Sequence, residues 1–186
     1  PFSDDDVLEY YTELAAATSL PMIVYEIPIR TNRPLPLDLL SKLLDLPNVA
    51  GIKFTSTDLF KLSMLRRARP DKTYFFGFDE IFAGAAALGC DGGIGTTYNL
   101  MGRLDVAINA SIRDSDLPRT QELQDISQQL VEELLVTGVI PGMKAAMRTQ
   151  GVDAGHTRSP MIEKVADAED RLKDFLNRPE ISKWVG

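Results

Sequence analysis

The strongest constraint on the fold is a regular alternation of short apolar, β-rich runs with amphipathic segments. The runs predict four strands, and helical patterns separate them: strands at 21–28, 49–55, 73–80 and 92–97, helices at 36–46, 59–68 and 81–88. Each run is almost continuously apolar, which is typical of strands in a parallel sheet that is covered on both faces. The sequence therefore predicts a βαβαβαβ arrangement of parallel strands.

Helices are predicted on both sides of this alternation. Ser3 followed by three aspartates is typical of a helix N-cap with acidic residues in the first turn. After Thr97 the strand pattern stops, and an apolar stripe predicts a helix that ends at Gly138: Leu123, Ile126, Leu130 and Leu134. Two further helices are predicted, at 142–150 and from about 162 to 176. Four strands do not close an eight-stranded barrel, so the pattern alone leaves an open doubly wound sheet and a partial barrel as alternatives.

Composition excludes several classes of function. With 27 acidic and 20 basic residues, the net charge of −7 offers no general attraction to nucleic acid. One cysteine, Cys90, rules out an intrachain disulfide, and the single histidine, His156, has no potential ligand near it in the sequence for a metal site. No apolar run approaches the roughly 20 residues of a membrane-spanning helix. We expect a cytoplasmic protein that binds neither membrane nor nucleic acid.

Lys53 is the only lysine that lies within an apolar strand run. Desolvation there favours the neutral amine, which can attack a carbonyl and form a Schiff base. The alternative is a lysine at a strand end that reaches water or pairs with an acid. Tyr25 occupies the corresponding place in the preceding strand, where a phenol could relay a proton or simply fill the core.

Two acidic residues and a glycine-rich segment follow the later strands. Asp79 and Glu80 could bind hydroxyl groups of a ligand, or Asp79 could cap the helix that begins near residue 81. The segment GGIGTT at 92–97 lacks the Lys-Ser/Thr ending of a P-loop and most of the dinucleotide fingerprint. We therefore expect its glycines to allow close approach of a ligand or a strand.

The order of YEIP at 25–28, GIKFTSTDL at 51–59, GFDE at 77–80 and DGGIGTTYN at 91–99 resembles the dihydrodipicolinate synthase and N-acetylneuraminate lyase family of class I aldolases. PGMKAAM and RSPM in the helical tail are similar to the last helices of that family, and TSTDL, GFDE and GGIGTTYN resemble its sialic acid lyase branch. The resemblance implies a (β/α)8 TIM barrel with a C-terminal helical extension. It also implies a homotetramer that cleaves N-acetylneuraminate to pyruvate and N-acetylmannosamine without a metal or organic cofactor.

The same resemblance assigns roles to individual residues. Lys53 matches the Schiff-base lysine and Tyr25 the tyrosine that assists proton transfer. Six residues match positions that hold the sugar: Thr55, Gly77, Asp79, Glu80, Gly95 and Thr96. Three positions depart from many relatives: Glu26 replaces asparagine, Phe78 tyrosine and Thr96 serine. We expect the first two to bear on sugar preference, whereas threonine keeps the hydroxyl of serine.

The resemblance covers strands 5 to 8 of the barrel and its extension. We expect residues 1–113 to form the C-terminal half of the barrel and residues 114–186 the helical extension, within a longer protein. Three alternatives to the lyase stay open: a related pyruvate-dependent aldolase or dehydratase acting on another sugar acid, a non-catalytic sugar-acid-binding relative, and a half barrel that serves as an assembly module.

Overall fold

The computed structural model describes residues 2–162 and 165–186. The elements of the described chain follow one another as α1 Asp4–Ala16, β1 Met22–Glu26, α2 Pro28–Thr31, α3 Leu37–Leu44, β2 Val49–Phe54, α4 Leu59–Ala68, β3 Thr73–Phe76, a 3-10 helix Asp79–Ile81, α5 Phe82–Ala87, β4 Gly92–Gly93, α6 Tyr98–Arg113, α7 Leu117–Thr137, α8 Val139–Thr149, α9 Ala168–Leu176 and α10 Pro179–Ser182. The predicted βαβαβαβ order is confirmed.

The chain divides into two compact units. Unit 1 comprises Pro1–Phe78 and Gly84–Gly93, and unit 2 comprises Asp79–Ala83 and Ile94–Gly186. The boundary expected at residue 113, between the half barrel and the extension, stays a prediction.

The sheet belongs to unit 1. Its strands are parallel and lie in the order β1-β2-β3-β4. One face is fully covered by apolar packing, formed by Val24, Ile52, Phe54, Tyr74 and Phe76. On the other face Ile23 and Tyr25 remain 38% and 42% exposed. The expectation of a sheet covered on both faces is therefore wrong for β1 in the described chain, because that side of the strand has little packed against it.

Helices α1 and α4 of unit 1 begin with a side-chain cap, whereas α2 and α3 begin without one. The predicted N-cap of α1 is confirmed, because the Ser3 hydroxyl accepts from the Asp6 amide at 3.1 Å and the Asp6 carboxylate accepts from the Ser3 amide at 2.6 Å. In α3 four leucines face the core: Leu39, Leu40, Leu43 and Leu44. Their spacing of one, three and four residues defines one apolar stripe, which buries the helix against its neighbours.

Unit 2 is helical apart from its loops. Asp116 caps α7 by accepting from the Arg119 amide at 3.0 Å, and Gly138, with φ of 90°, ends it. The predicted stripe of α7 is buried as expected: Leu123, Ile126, Leu130 and Leu134. A non-helical φ of −124° at Met101 kinks α6 within its first turn.

Several boundaries differ from the predictions. The run at 92–97 forms strand only over Gly92–Gly93, and the others are shorter than predicted by one to four residues. The helix expected from about 162 begins at Ala168, since residues 165–167 are not helical and 163–164 lie outside the described residues. Helix α6 was not predicted from the sequence, although Leu100, Leu104 and Ile108 are buried at a spacing of four.

Candidate functional site

In unit 1, the parallel register brings Tyr25, Lys53 and Phe75 side by side across three strands. The Lys53 Nζ lies 4.2 Å from the centre of the Tyr25 ring, over its face. A lysine ammonium over the face of a phenol ring is attracted by the ring electrons. The two residues that the sequence analysis assigned to the chemistry are therefore neighbours on the less covered face of the sheet.

Thr55 and Gly77 extend this cluster at the carboxyl ends of β2 and β3. Thr55 is 4% exposed, and its buried hydroxyl has no hydrogen-bond partner in the described part of the chain. A Cβ at Gly77 would lie 1.9 Å from the Thr55 Oγ1 and 3.1 Å from the Lys53 Cε. Glycine is thus required here, because any side chain would displace the threonine and the lysine.

Glu26 lies on the opposite face of β1 from Tyr25, since successive residues of a strand alternate. It is 3% exposed, and its Oε1 accepts from the Leu35 amide at 3.0 Å. Burial raises the pKa of this carboxyl, while the Leu35 amide and the Lys61 charge oppose that rise. Glu26 therefore holds the backbone of the loop between α2 and α3. Phe78 packs edge-on against Phe76, with ring centres 6.3 Å apart.

In unit 2, Asp79 is the centre of the second cluster. Its carboxylate is 5% exposed, and Oδ2 accepts from both the Thr97 amide at 2.9 Å and the Thr97 hydroxyl at 2.7 Å. A Cβ at Gly95 would lie 1.5 Å from the Asp79 Oδ1, so the glycine allows the loop to pass directly over the carboxylate. Neither the ligand-binding nor the helix-capping interpretation of Asp79 included this connection to the loop at 95–97.

Glu80 and Thr96 occupy less buried positions in the same unit. Both residues are half-buried. The Glu80 carbonyl accepts from the Gln128 side-chain amide at 2.8 Å, and the Thr96 carbonyl accepts from the Asn99 side-chain amide at 2.9 Å. The structure thus groups the eight residues assigned from the sequence as four in each unit: Tyr25, Lys53, Thr55 and Gly77 in unit 1, and Asp79, Glu80, Gly95 and Thr96 in unit 2.

Two buried polar residues beside Asp79 were not identified from the sequence. Asp105 is 8% exposed, and neither of its carboxylate oxygens has a partner on another described residue. Burial and then the nearby Asp79 raise the pKa of Asp105 to about 8. Burial also raises the pKa of Tyr98, with further contributions from Asp79 and Asp105, so that its phenol stays protonated. A single acidic residue in an amphipathic helix is usually solvated, so no sequence signal marked Asp105. Tyr98 lies within the motif at 91–99, but no role was assigned to it there.

Among residues 2–162 and 165–186, no group of three His, Cys, Asp or Glu side chains is arranged to hold a metal ion. The helices of those ranges include none with the length and apolar character needed to cross a bilayer.

Comparison with known proteins gives a consistent result. Residues 1–178 match the model of the dihydrodipicolinate synthetase family. The N-acetylneuraminate lyase of Rhizobium meliloti (strain 1021) is 39% identical over 168 residues, which are 90% of this chain and 56% of that protein. This chain therefore spans about half the length of such relatives.

Solved structures agree in fold. The N-acetylneuraminate lyase of Fusobacterium nucleatum superimposes with a TM-score of 0.87 and 31% identity, covering 100% of this chain and 62% of that one. A Clostridium difficile protein in complex with mannosamine gives a TM-score of 0.89 and 29% identity, over 99% of this chain and 62% of its own. These relatives are TIM barrels, and the four parallel strands followed by helices correspond to half of that barrel and its helical extension. The chain therefore belongs to the dihydrodipicolinate synthetase family of class I aldolases.

Proposed function

We propose that the protein to which this chain belongs is a Schiff-base-forming aldolase that cleaves N-acetylneuraminate reversibly into pyruvate and N-acetylmannosamine. The observation that carries the proposal is the placement of the Lys53 amine 4.2 Å from the centre of the Tyr25 ring, on the less covered face of the sheet. Similarity to lyases that act on this sugar acid supports the choice of substrate.

The mechanism follows from the chemistry of these two groups. The Lys53 amine attacks the C2 ketone of the open-chain sugar acid, and water leaves as the protonated imine forms. The imine nitrogen then accepts the electron pair of the C3–C4 bond. Tyr25 takes up the proton of the C4 hydroxyl while it passes its own to the substrate carboxylate, and N-acetylmannosamine leaves as the aldehyde. The remaining enamine takes up at C3 the proton that the substrate carboxylate received, and addition of water to the resulting imine releases pyruvate and the free lysine.

The sugar portion is assigned to the remaining residues. We propose that Asp79, Glu80, Gly95 and Thr96 of unit 2 form a sugar subsite, and separately that Thr55 and Gly77 of unit 1 have a sugar-binding role. Glu80 and Thr96 are half-buried and suit direct contact with hydroxyls, whereas Asp79 already accepts two hydrogen bonds from Thr97. The Clostridium difficile relative in complex with mannosamine supports an amino sugar as the ligand of this subsite.

Further properties are proposed with the activity. The reaction needs no metal and no organic cofactor, because the lysine imine itself provides the electron sink. We propose a cytoplasmic homotetramer whose ligands are the sugar acid and pyruvate, with no nucleic acid and no membrane as partners.

The direct test is chemical trapping. The full-length protein is incubated with pyruvate and borohydride, and the reduced adduct is located by mass spectrometry. We expect the adduct on Lys53, its loss in Lys53→Ala, and its retention in Lys42→Ala, which removes an exposed lysine from α3. Labelling that persists at the same level in Lys53→Ala would refute the proposal.

A further inference from the structure

One side of α7 carries buried polar side chains next to its apolar stripe. Gln124 and Ser127 are 8% and 2% exposed, and Gln128 is half-buried one turn after Gln124. Burying a polar group costs free energy unless it is hydrogen-bonded. Polar side chains at these positions of a helix therefore need a specific partner.

The partners all lie in the segment 79–83. The Gln124 Nε2 donates to the Asp79 carbonyl at 3.0 Å, and its Oε1 accepts from the Ala83 amide at 2.8 Å. The Ser127 hydroxyl donates to the same Asp79 carbonyl at 3.4 Å. A single carboxamide thus joins both ends of the segment that contains the paired acids.

Glu80 is held by the next turn of α7. The Gln128 Nε2 donates to the Glu80 carbonyl at 2.8 Å. The carbonyls of both acidic residues are therefore fixed by side chains 45 and 48 residues later in the chain. Since Asp79–Ile81 forms only one turn of 3-10 helix, its own hydrogen bonds do little to hold it.

Fixing these carbonyls also fixes the directions in which the two carboxylates leave the backbone. A displacement of about 1 Å in a positioning group can cost 10²-fold in rate, so such a constraint matters for recognition. We infer that Gln124, Gln128 and Ser127 are positioning residues of the sugar subsite, which they hold in place through the backbone of Asp79 and Glu80. This inference rests on the proposed function.

The test separates sugar recognition from imine chemistry. In the full-length protein, Gln124→Leu removes both hydrogen bonds with little change in volume. We expect the KM for N-acetylneuraminate to rise about tenfold or more, because buried hydrogen bonds that position the acidic pair are lost. Pyruvate trapping by borohydride should proceed at the original rate. Gln121→Leu, on an exposed position of α7, is the matched control and should change neither quantity.

A second variant covers the case in which Gln124→Leu fails to fold. Gln128→Leu alters a half-buried residue that holds only the Glu80 carbonyl, and we expect a smaller rise in KM with trapping unchanged. If KM is unchanged in the folded variants, or if pyruvate trapping slows by the same factor by which KM rises, the inference is overturned. Failure of the unmodified protein to trap pyruvate on Lys53 would instead overturn the proposed function.

Discussion

Asp105 makes the stability of the protein depend on pH in a direction opposite to that of most carboxyls. Burial, followed by the charge of Asp79, raises its pKa from 3.8 to about 8, and the phenol of Tyr98 beside it stays protonated. In the unfolded chain the carboxyl loses its proton near pH 4, whereas the folded protein retains it up to about pH 8. The folded state thus binds more protons in this window, and stability falls as pH rises.

The magnitude follows from the width of that window. Each pH unit between the two pKa values costs about 1.4 kcal/mol, so that about four units give at most about 6 kcal/mol. Asp105→Asn cannot ionise and avoids this cost. We expect the stability of the variant relative to the unmodified protein to increase from about pH 4 to about pH 8 and to be constant above it.

The assay is urea unfolding of both proteins at pH 5, 6, 7, 8 and 9, with the free energy of unfolding extrapolated to water. Asp125→Asn makes the same chemical change at an exposed site on α7 and should show no comparable trend. A stability difference for Asp105→Asn that does not change with pH would refute the reasoning, because it would mean that this carboxyl titrates alike in both states.

Three further predictions concern the two clusters and the chain itself. Gly77→Ala places a Cβ 1.9 Å from the Thr55 Oγ1 and 3.1 Å from the Lys53 Cε. Because the new methyl group displaces the lysine, pyruvate trapping should slow at least tenfold, and an unchanged rate would contradict the close packing. Thr97→Val removes a 2.7 Å hydrogen bond to the Asp79 carboxylate and should lower stability by about 1.5 to 3 kcal/mol in urea unfolding, whereas Thr97→Ser should retain most of it. The 186-residue chain alone spans about half the length of its relatives, and we expect it to show no measurable cleavage of N-acetylneuraminate. Robust turnover by this chain would contradict its assignment to half of a barrel.

Much of the fold could be predicted because its determinants are local. The four strands follow from apolar runs, the start of α1 from Ser3 and its acidic turn, and the end of α7 from Gly138. The strand at 92–97 was predicted too long, because apolar character and glycine do not show where the chain leaves the sheet, which happens after Gly93.

The candidate site was predictable only in part. Motifs identified Lys53 and Tyr25, and the register of the strands brings them together. The role of Asp79 as an anchor for Thr97 could not be read from the sequence, because it depends on contact between segments 18 residues apart. Likewise, Gln124 looks like a solvated residue of an amphipathic helix until its partner, 41 residues away at Ala83, is known.

The distance along the chain between α7 and the paired acids affects the order in which the protein matures on the ribosome. Strands β1 to β3, with Tyr25 and Lys53, are synthesised before residue 77, whereas the side chains that hold the carbonyls of Asp79 and Glu80 emerge only with residues 124–128. A nascent chain that stops short of α7 therefore contains Lys53 without the hydrogen bonds that hold the acidic pair. Under the proposed function, translation therefore completes the sugar subsite later than it completes the strands that carry Lys53 and Tyr25.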